Sequence, residues 1–338
     1  MKRKNIIILL IILLALTGFY WYLNQKGWNT MKITPDMLSV KDTASITRIF
    51  MANKNGKKVL LERNRGQWLA NGQPADLTKV NLILQTLYAV KVLKPVEPGA
   101  VNSATQILAV KGIKTEIYAG NKLLKTIYVG SETPDQTGTI MLLDGSNEPV
   151  IAHVPGFVGY LTPRFIVDPI KLKSRLVFNH NSTNISELQL IYPAQPSESF
   201  TIKNGKLFDA NGNSVNLSDS NALKFYLNGF TNLYLEGYLN DWPQNEQDSV
   251  LNLQPYCIVK LTDTQNITTT LKVFYKPVGK RTKERYNLQT NEAYIYDTEK
   301  YFAQLNNLQI LAMIQEFSFG RILVKLSQLK GIKVKHAG

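Results

Sequence analysis

The feature that most constrains this chain is an order of elements that recurs roughly 140 residues later. The alternating pattern Ile46-Thr47-Arg48-Ile49-Phe50-Met51 is answered 139 positions on by Ile185-Ser186-Glu187-Leu188-Gln189-Leu190. Gly66-Gln67-Trp68-Leu69 is answered at the same offset by Gly205-Lys206-Leu207-Phe208. One inserted residue later, Gly212 stands for Gly72 and Asn216-Leu217-Ser218 for Asp76-Leu77-Thr78. A helix over 222–233 then stands for 82–93, strand 257–261 for 114–118, and strand 270–275 for 126–130. The last matches are 294–296 with 150–152 and 301–305 with 157–161, the latter 144 positions apart. Identities are few, but the order and type of the elements persist, as expected of a repeated module.

Each copy reads as short strands joined by tight turns, with a helix laid across them. In the first copy, Asn53-Lys54-Asn55-Gly56 and Asn71-Gly72 are turn sequences whose Asn-Gly pairs tolerate the positive φ of a hairpin. Asp76 is placed to cap a helix over 77–90, in which Leu77, Val80, Leu84 and Leu87 recur at helical spacing. Further strands are expected over 106–110, 115–119, 123–129, 140–143 and 150–153, and a short helix over 157–161. In the second copy, Tyr226, Phe230, Tyr234 and Tyr238 recur every four residues, the spacing of one helical stripe.

Ahead of the repeat, Lys2, Arg3 and Lys4 precede an uncharged run from Asn5 to Gln25. A helix from Ile6 to Leu23 would rise ~27 Å, close to the hydrocarbon thickness of a bilayer. Ile6, Leu9 and Leu13 supply the apolar body, and Phe19 and Trp21 suit the headgroup level at its exit. The basic start keeps that end in the cytoplasm, and the bulky exit disfavours signal cleavage. The expectation is a single-pass anchor in the cytoplasmic (inner) membrane, with a periplasmic or extracellular body. Of the formal charge of +14, residues 1–32 contribute five cations and no acid and residues 320–338 another five, leaving +4 between them. A nucleic-acid groove needs its basic face on the folded body, so that class is set aside.

Motifs for chemistry are sparse. The histidines His153, His180 and His336 lie in separate segments without zinc spacing, so no metal and no cofactor is expected. No Gly-x-Ser-x-Gly elbow or phosphate-cradling Gly-rich loop occurs. Asp241, Glu246 and Asp248 flank Trp242, as acids do in some glycosidases, but paired acids are also common in solvated loops. Cys257, the one cysteine, sits in an apolar strand as a small hydrophobe. In the C-terminal segment Phe319, Ile322, Leu323, Leu326 and Leu329 make an apolar stripe, with Arg321, Lys325 and Lys330 off it. Either the stripe packs on its own module, or Phe319, Ile322, Leu326, Arg321 and Lys325 form a surface for a partner or the bilayer.

Gly66-Gln67-Trp68-Leu69, followed by Pro74-Ala75-Asp76 and the helix from Leu77 to Leu87, resembles the family known as domain of unknown function 4340. The second copy departs from that pattern at Leu207-Phe208 and Asn216. The resemblance implies a membrane helix followed by a repeated exported domain, associated with gliding-motility-type ABC transporters, and it carries over no catalytic residue. The fold class expected is α+β: two tandem copies of a mostly antiparallel sheet module with a packed helix, preceded by one transmembrane helix. The organisation read is anchor 1–25, connector 26–45, module 46–165, linker 166–184, module 185–310 and basic tail 311–338. The function expected is that of a non-enzymatic envelope protein, an accessory or scaffold in an ABC-type transporter or gliding-type complex. The alternative is an anchored enzyme or binding module acting on cell-wall or polysaccharide ligands.

Overall fold

A computed structural model describes residues 12–18, 20, 32–217, 219, 221–280 and 282–332. The chain divides into two compact units, Met1–Ser174 and Arg175–Gly338. Of the expected anchor, Ile6, Leu9, Phe19 and Trp21 lie outside the described residues. Leu13 lies in a helical stretch, 12–18, with its side chain exposed. Among the described residues no helix is long and apolar enough to cross a membrane.

The first unit is built on β1 (Arg48–Ala52), β2 (Lys58–Asn64), β3 (Gln67–Ala70), β4 (Gln73–Pro74), β5 (Lys91–Pro95), β6 (Ile113–Ala119), β7 (Lys122–Glu132), β8 (Thr139–Leu143) and β9 (Val150–His153). They form one sheet in the order β4-β3-β2-β1-β6-β7-β8-β9-β5, antiparallel throughout. The β2–β3 turn is set by Arg65 (φ 47°) and Gly66 (φ 85°), a pair of left-handed residues whose twist matches the flanking strands. Helix α1 (Leu77–Ala89) starts where Asp76 accepts hydrogen bonds from the Thr78 and Lys79 amides. Its Val80, Ile83 and Leu87 bury against Ile49, Met51, Ile117, Ile127 and Val129 on one face of the sheet. Met37, Leu38, Leu161, Phe165 and Leu172, the last from α3 (Pro169–Leu172), complete that core.

Residues 106–110, expected as a strand, belong instead to α2 (Val101–Lys111). Ala104 and Leu108, four apart, make a narrow buried stripe that packs on Ile140 and Val96 across the opposite sheet face. A short apolar run satisfies strand and helix patterns alike, and only the packing chooses. The helix expected over 157–161 does not form.

The second unit contains β10 (Leu176–Phe178), β11 (Ile185–Ile191), β12 (Phe200–Lys203), β13 (Lys206–Asp209), β14 (Ser214–Val215), α4 (Ala222–Asn228), β15 (Leu233–Tyr234), β16 (Gly237–Tyr238), α5 (Gln244–Leu251), β17 (Cys257–Asp263), β18 (Thr268–Pro277), β19 (Tyr296–Leu305), β20 (Ala312–Gln315), α6 (Glu316–Phe319) and α7 (Leu326–Lys330). Its main sheet runs β14-β13-β12-β11-β17-β18-β19-β20-β16, the same sequence of positions as in the first. The register repeats as well. The cross-strand row Met51–Thr115–Ile127–Leu143 has its counterpart in Leu190–Val259–Leu271–Leu305.

That row corrects the tail end of the sequence matches. The counterpart of β8 is β19 and that of β9 is β20, so 294–296 does not stand for 150–152, nor 301–305 for 157–161. Residues 312–315, assigned to a basic tail, are the strand that pairs with both β19 and β16. The stretch 166–184 is likewise no bare linker, since it carries α3 of one unit and β10 of the other. The four-residue aromatic spacing is not one helix either. Helix α4 stops at Asn228, and Asn232 takes a left-handed φ of 52°. Tyr226 and Phe230 are buried, while Tyr234 and Tyr238 lie on β15 and β16.

Candidate functional site

A cleft of about 980 Å³ lies in the second unit, on the sheet face that α5 partly covers. Its floor is the alternate-residue set Lys300, Phe302, Met313 and Gln315 on β19 and β20. One wall is the loop before α5, with Leu239 and Trp242; the other is the base of the β18–β19 connection, with Gly279, Lys280, Thr282 and Lys283. That connection spans residues 278–295, where the first unit turns over 133–138.

Asp297 organises the arm's base. Its Oδ2 accepts hydrogen bonds from Lys276 Nζ at 2.6 Å and Thr282 Oγ1 at 3.0 Å, and its Oδ1 from the Glu299 and Lys300 amides. Thr282 Oγ1 in turn accepts from the Gly279 amide. Burial works to raise the Asp297 pKa, but Lys276, the Glu299 amide and Thr282 together hold it below the ordinary aspartate range. With four donors on two oxygens, this carboxylate ties the arm to the sheet and is not set up as a free base.

Beside it, Lys300 Nζ lies 2.6 Å from Glu236 Oε1, while Glu236 Oε2 is shielded and has no hydrogen-bond partner among the described residues. Trp242 meets Phe302 edge-on at 5.2 Å. Its loop is pinned by the buried Gln247, which donates to the Trp242 carbonyl and accepts from the Leu311 amide. At the rim Phe317 is 95% exposed.

The residues singled out from sequence fall elsewhere. Phe319, Ile322 and Leu326 are buried in the core of the second unit with Leu323 and Leu329, so the apolar stripe is interior and not a surface. This corrects the partner-surface reading: a sheet face that α4 covers over only two turns needs the extra apolar lid. Arg321 is exposed and donates to the Thr231 carbonyl. Lys325 precedes α7, its amide donating to the Gln328 side chain. Asp241, Glu246 and Asp248 are exposed at the start of α5, and Asp248 accepts from Gln244.

Cys257 is fully buried on β17, and burial pushes its thiol up to about 12, which keeps it protonated and unreactive. Tyr226 is shifted up for the same reason, and its hydroxyl donates to the Ile322 carbonyl at 2.8 Å. Among the described residues no three His, Cys, Asp or Glu side chains are placed to hold a metal ion. Of the cleft, sequence reasoning had noticed Trp242 alone. The signal it lacked was the abrupt growth of the repeat offset between β18 and β19, which marks the inserted arm. No family model, curated protein or solved structure matches this chain.

Proposed function

We propose that this chain is a non-enzymatic, single-pass envelope protein whose body arose by tandem duplication and serves as an accessory or scaffold subunit of an ABC-type transporter or related envelope complex. The duplication is supported by the shared strand order and register of the two sheets. The anchor is supported by the apolar leader, and the transporter setting by the resemblance carried by Gly66–Leu69 and Asp76. In the folded unit Trp68 is buried and Asp76 caps α1, which gives those residues structural roles.

The observation that carries the scaffold reading is the tip of the β18–β19 arm. It presents Leu288 at 97% and Tyr286 at 57% exposure, and at the arm's base Ile295, whose carbonyl accepts from the Val278 amide, is 76% exposed. Apolar side chains held out on such an arm are costly in water and suit a surface that a protein partner covers. The full-length chain, extracted in detergent from its own membrane, is expected to migrate as a defined complex. Leu288→Ser with Ile295→Ser should release it as a single species while its melting temperature is unchanged. A wild-type chain that migrates alone under the same extraction, or a variant that keeps its complex, removes this reading.

A further inference from the structure

We propose, on the anchored reading above, that the loop of residues 154–161 in the first unit dips into the bilayer surface and gives the chain a second, lipid-facing contact. From Val154 to Leu161 the sequence is Val-Pro-Gly-Phe-Val-Gly-Tyr-Leu, with no charged side chain and a single hydroxyl, that of Tyr160. No acidic residue occurs between Glu148 and Asp168, and Arg164 is the one lysine or arginine there. Pro155, Gly156, Phe157 and Val158 are all exposed, Phe157 at 38% and Val158 at 91%. A run of exposed apolar residues on a surface turn marks a contact. The turn is braced from below. Gly156 (φ 79°) and Gly159 (φ 130°) bend the backbone on either side of the tip. The Arg164 guanidinium lies 4.0 Å from the Phe157 ring centre and donates to Thr86 on α1 at 3.0 Å. The amide of the buried Leu161 donates to Thr139 on β8 at 2.6 Å.

The occupant follows from where the chain enters the unit. Leu23, the end expected for the membrane helix, and Ile33, which packs on the first unit's core, are ten positions apart. Fully extended, that stretch spans at most roughly 35 Å, so the first unit cannot leave the bilayer. The Val92 amide of β5 donates to the Pro35 carbonyl, and Lys91 on the same strand pairs with His153. The entering chain and the end of β9 that feeds the loop are therefore two strand spacings apart, roughly 10 Å. A stable protein interface takes about 20–30 residues a side, many of them polar at the rim, and this tip has four exposed residues without a polar side chain. A small apolar tip suffices for a surface to which the unit is already tethered, because the second contact is then intramolecular. The backbone fits a shallow depth of about 5–10 Å, since Pro155 has no amide hydrogen to leave unpaired and that of Phe157 is given to the Val154 carbonyl. Tyr160 and Arg164, half-buried behind the tip, each put a polar end on an apolar body, as suits the headgroup level.

The test places the full-length chain, with Cys257→Ala, in vesicles of phosphatidylethanolamine and phosphatidylglycerol. One polarity-sensitive nitrobenzoxadiazole label is attached at Val158→Cys or, for comparison, at Asn121→Cys. Asn121 is exposed in the β6–β7 turn, at the far end of the eleven-residue β7 from the loop. Emission from position 158 is expected to shift to the blue, and to fall about twofold or more when the lipids carry a spin label just below the headgroups. Emission from position 121 should do neither. Phe157→Ser, added to the Val158 variant, should recover most of the quenched emission, with melting curves unchanged. A chain that does not float with the vesicles through alkaline carbonate removes the anchor and this contact together. A floating chain whose label at 158 behaves as the one at 121 removes the loop contact and leaves the anchor standing. A blue shift without lipid quenching would assign the loop to a second copy of the chain. Equal quenching at both positions, or quenching indifferent to Phe157→Ser, would mean adhesion without a dedicated loop. Each of these overturns the proposal.

Discussion

The two units each have a sheet of the same strand order and differ in how it is finished. In the first, α1 is thirteen residues long, capped by Asp76, and its Val80, Ile83 and Leu87 cover the core face. In the second, α4 has seven residues, Asn221 makes no side-chain cap, and the cover comes from Phe230, Leu233 and the C-terminal Phe319, Ile322 and Leu329. The β7–β8 turn of the first unit is closed by Asp135, whose carboxylate accepts from Thr133 and Thr137 and is held down to about 2 by those hydrogen bonds while exposed. The matching place in the second unit is the long arm, with a buried aspartate at its base. A repeated sheet thus fixes which face must be buried and leaves open what buries it. It was the freedom at one hairpin that made room for a cleft.

The largest effect expected on this comparison comes from removing the borrowed lid. Phe319→Ala should cost the second unit about 3–5 kcal/mol, the range for a truncated core phenylalanine. Arg321→Ala, two residues on, should stay within about 0.5 kcal/mol. Hydrogen exchange of the β17–β20 amides reads both; equal effects would return the segment to the status of a tail.

Next in size is Asp297→Asn, which leaves the mostly buried Lys276 without its counter-charge at a cost of about 3 kcal/mol. Because the folded pKa of Asp297 is depressed, its contribution is present above the unfolded value and lost as pH falls through the folded one. Denaturant melts from pH 7 down to 3 should therefore show the wild-type second unit weakening below about pH 4. The Asn variant should lack that part of the slope. A wild type with a flat profile over that window would show that the pair does not brace the arm.

A smaller contrast lies at the helix starts. Asp76→Ala should destabilise the first unit by about 1 kcal/mol, the usual worth of a side-chain cap. Asn221→Ala should cost the second no more than a few tenths of a kcal/mol, since no cap bond is lost. Comparable losses in urea titrations would mean that the two helices are held in the same way after all.

No larger than the loss of the Asp76 cap should be the effect of Cys257→Ala. The thiol is fully buried, so the change removes one sulfur from a packed strand, at about 1 kcal/mol or less. In the native state Cys257 should resist alkylation at pH 8, which mass spectrometry would check; rapid labelling would contradict the closed core.

The sequence by itself determined the local chemistry of this protein. Asn-Gly and Gly turns, the Asp76 cap, the alternating strands around Ile49 and Leu188 and the burial of Cys257 all depend on neighbours a few residues away, and such signals survive in a single chain. It also carried the repeat through the strands as far as β18, because up to there the two copies keep nearly constant spacing. The helix matched between them, 82–93 with 222–233, nevertheless overruns α1 and α4: 91–93 lie on β5, and α4 stops at Asn228. Tertiary structure alone decided the rest. Whether Ala104 and Leu108 belong to a strand or a helix, and whether Phe319 and Ile322 face the interior or a partner, depended on which sheet face still lacked cover. The Lys276–Asp297 and Lys300–Glu236 pairs join residues 21 and 64 positions apart. No local pattern records such a pairing, because the low dielectric and fixed geometry that make it matter exist only once the sheet has closed.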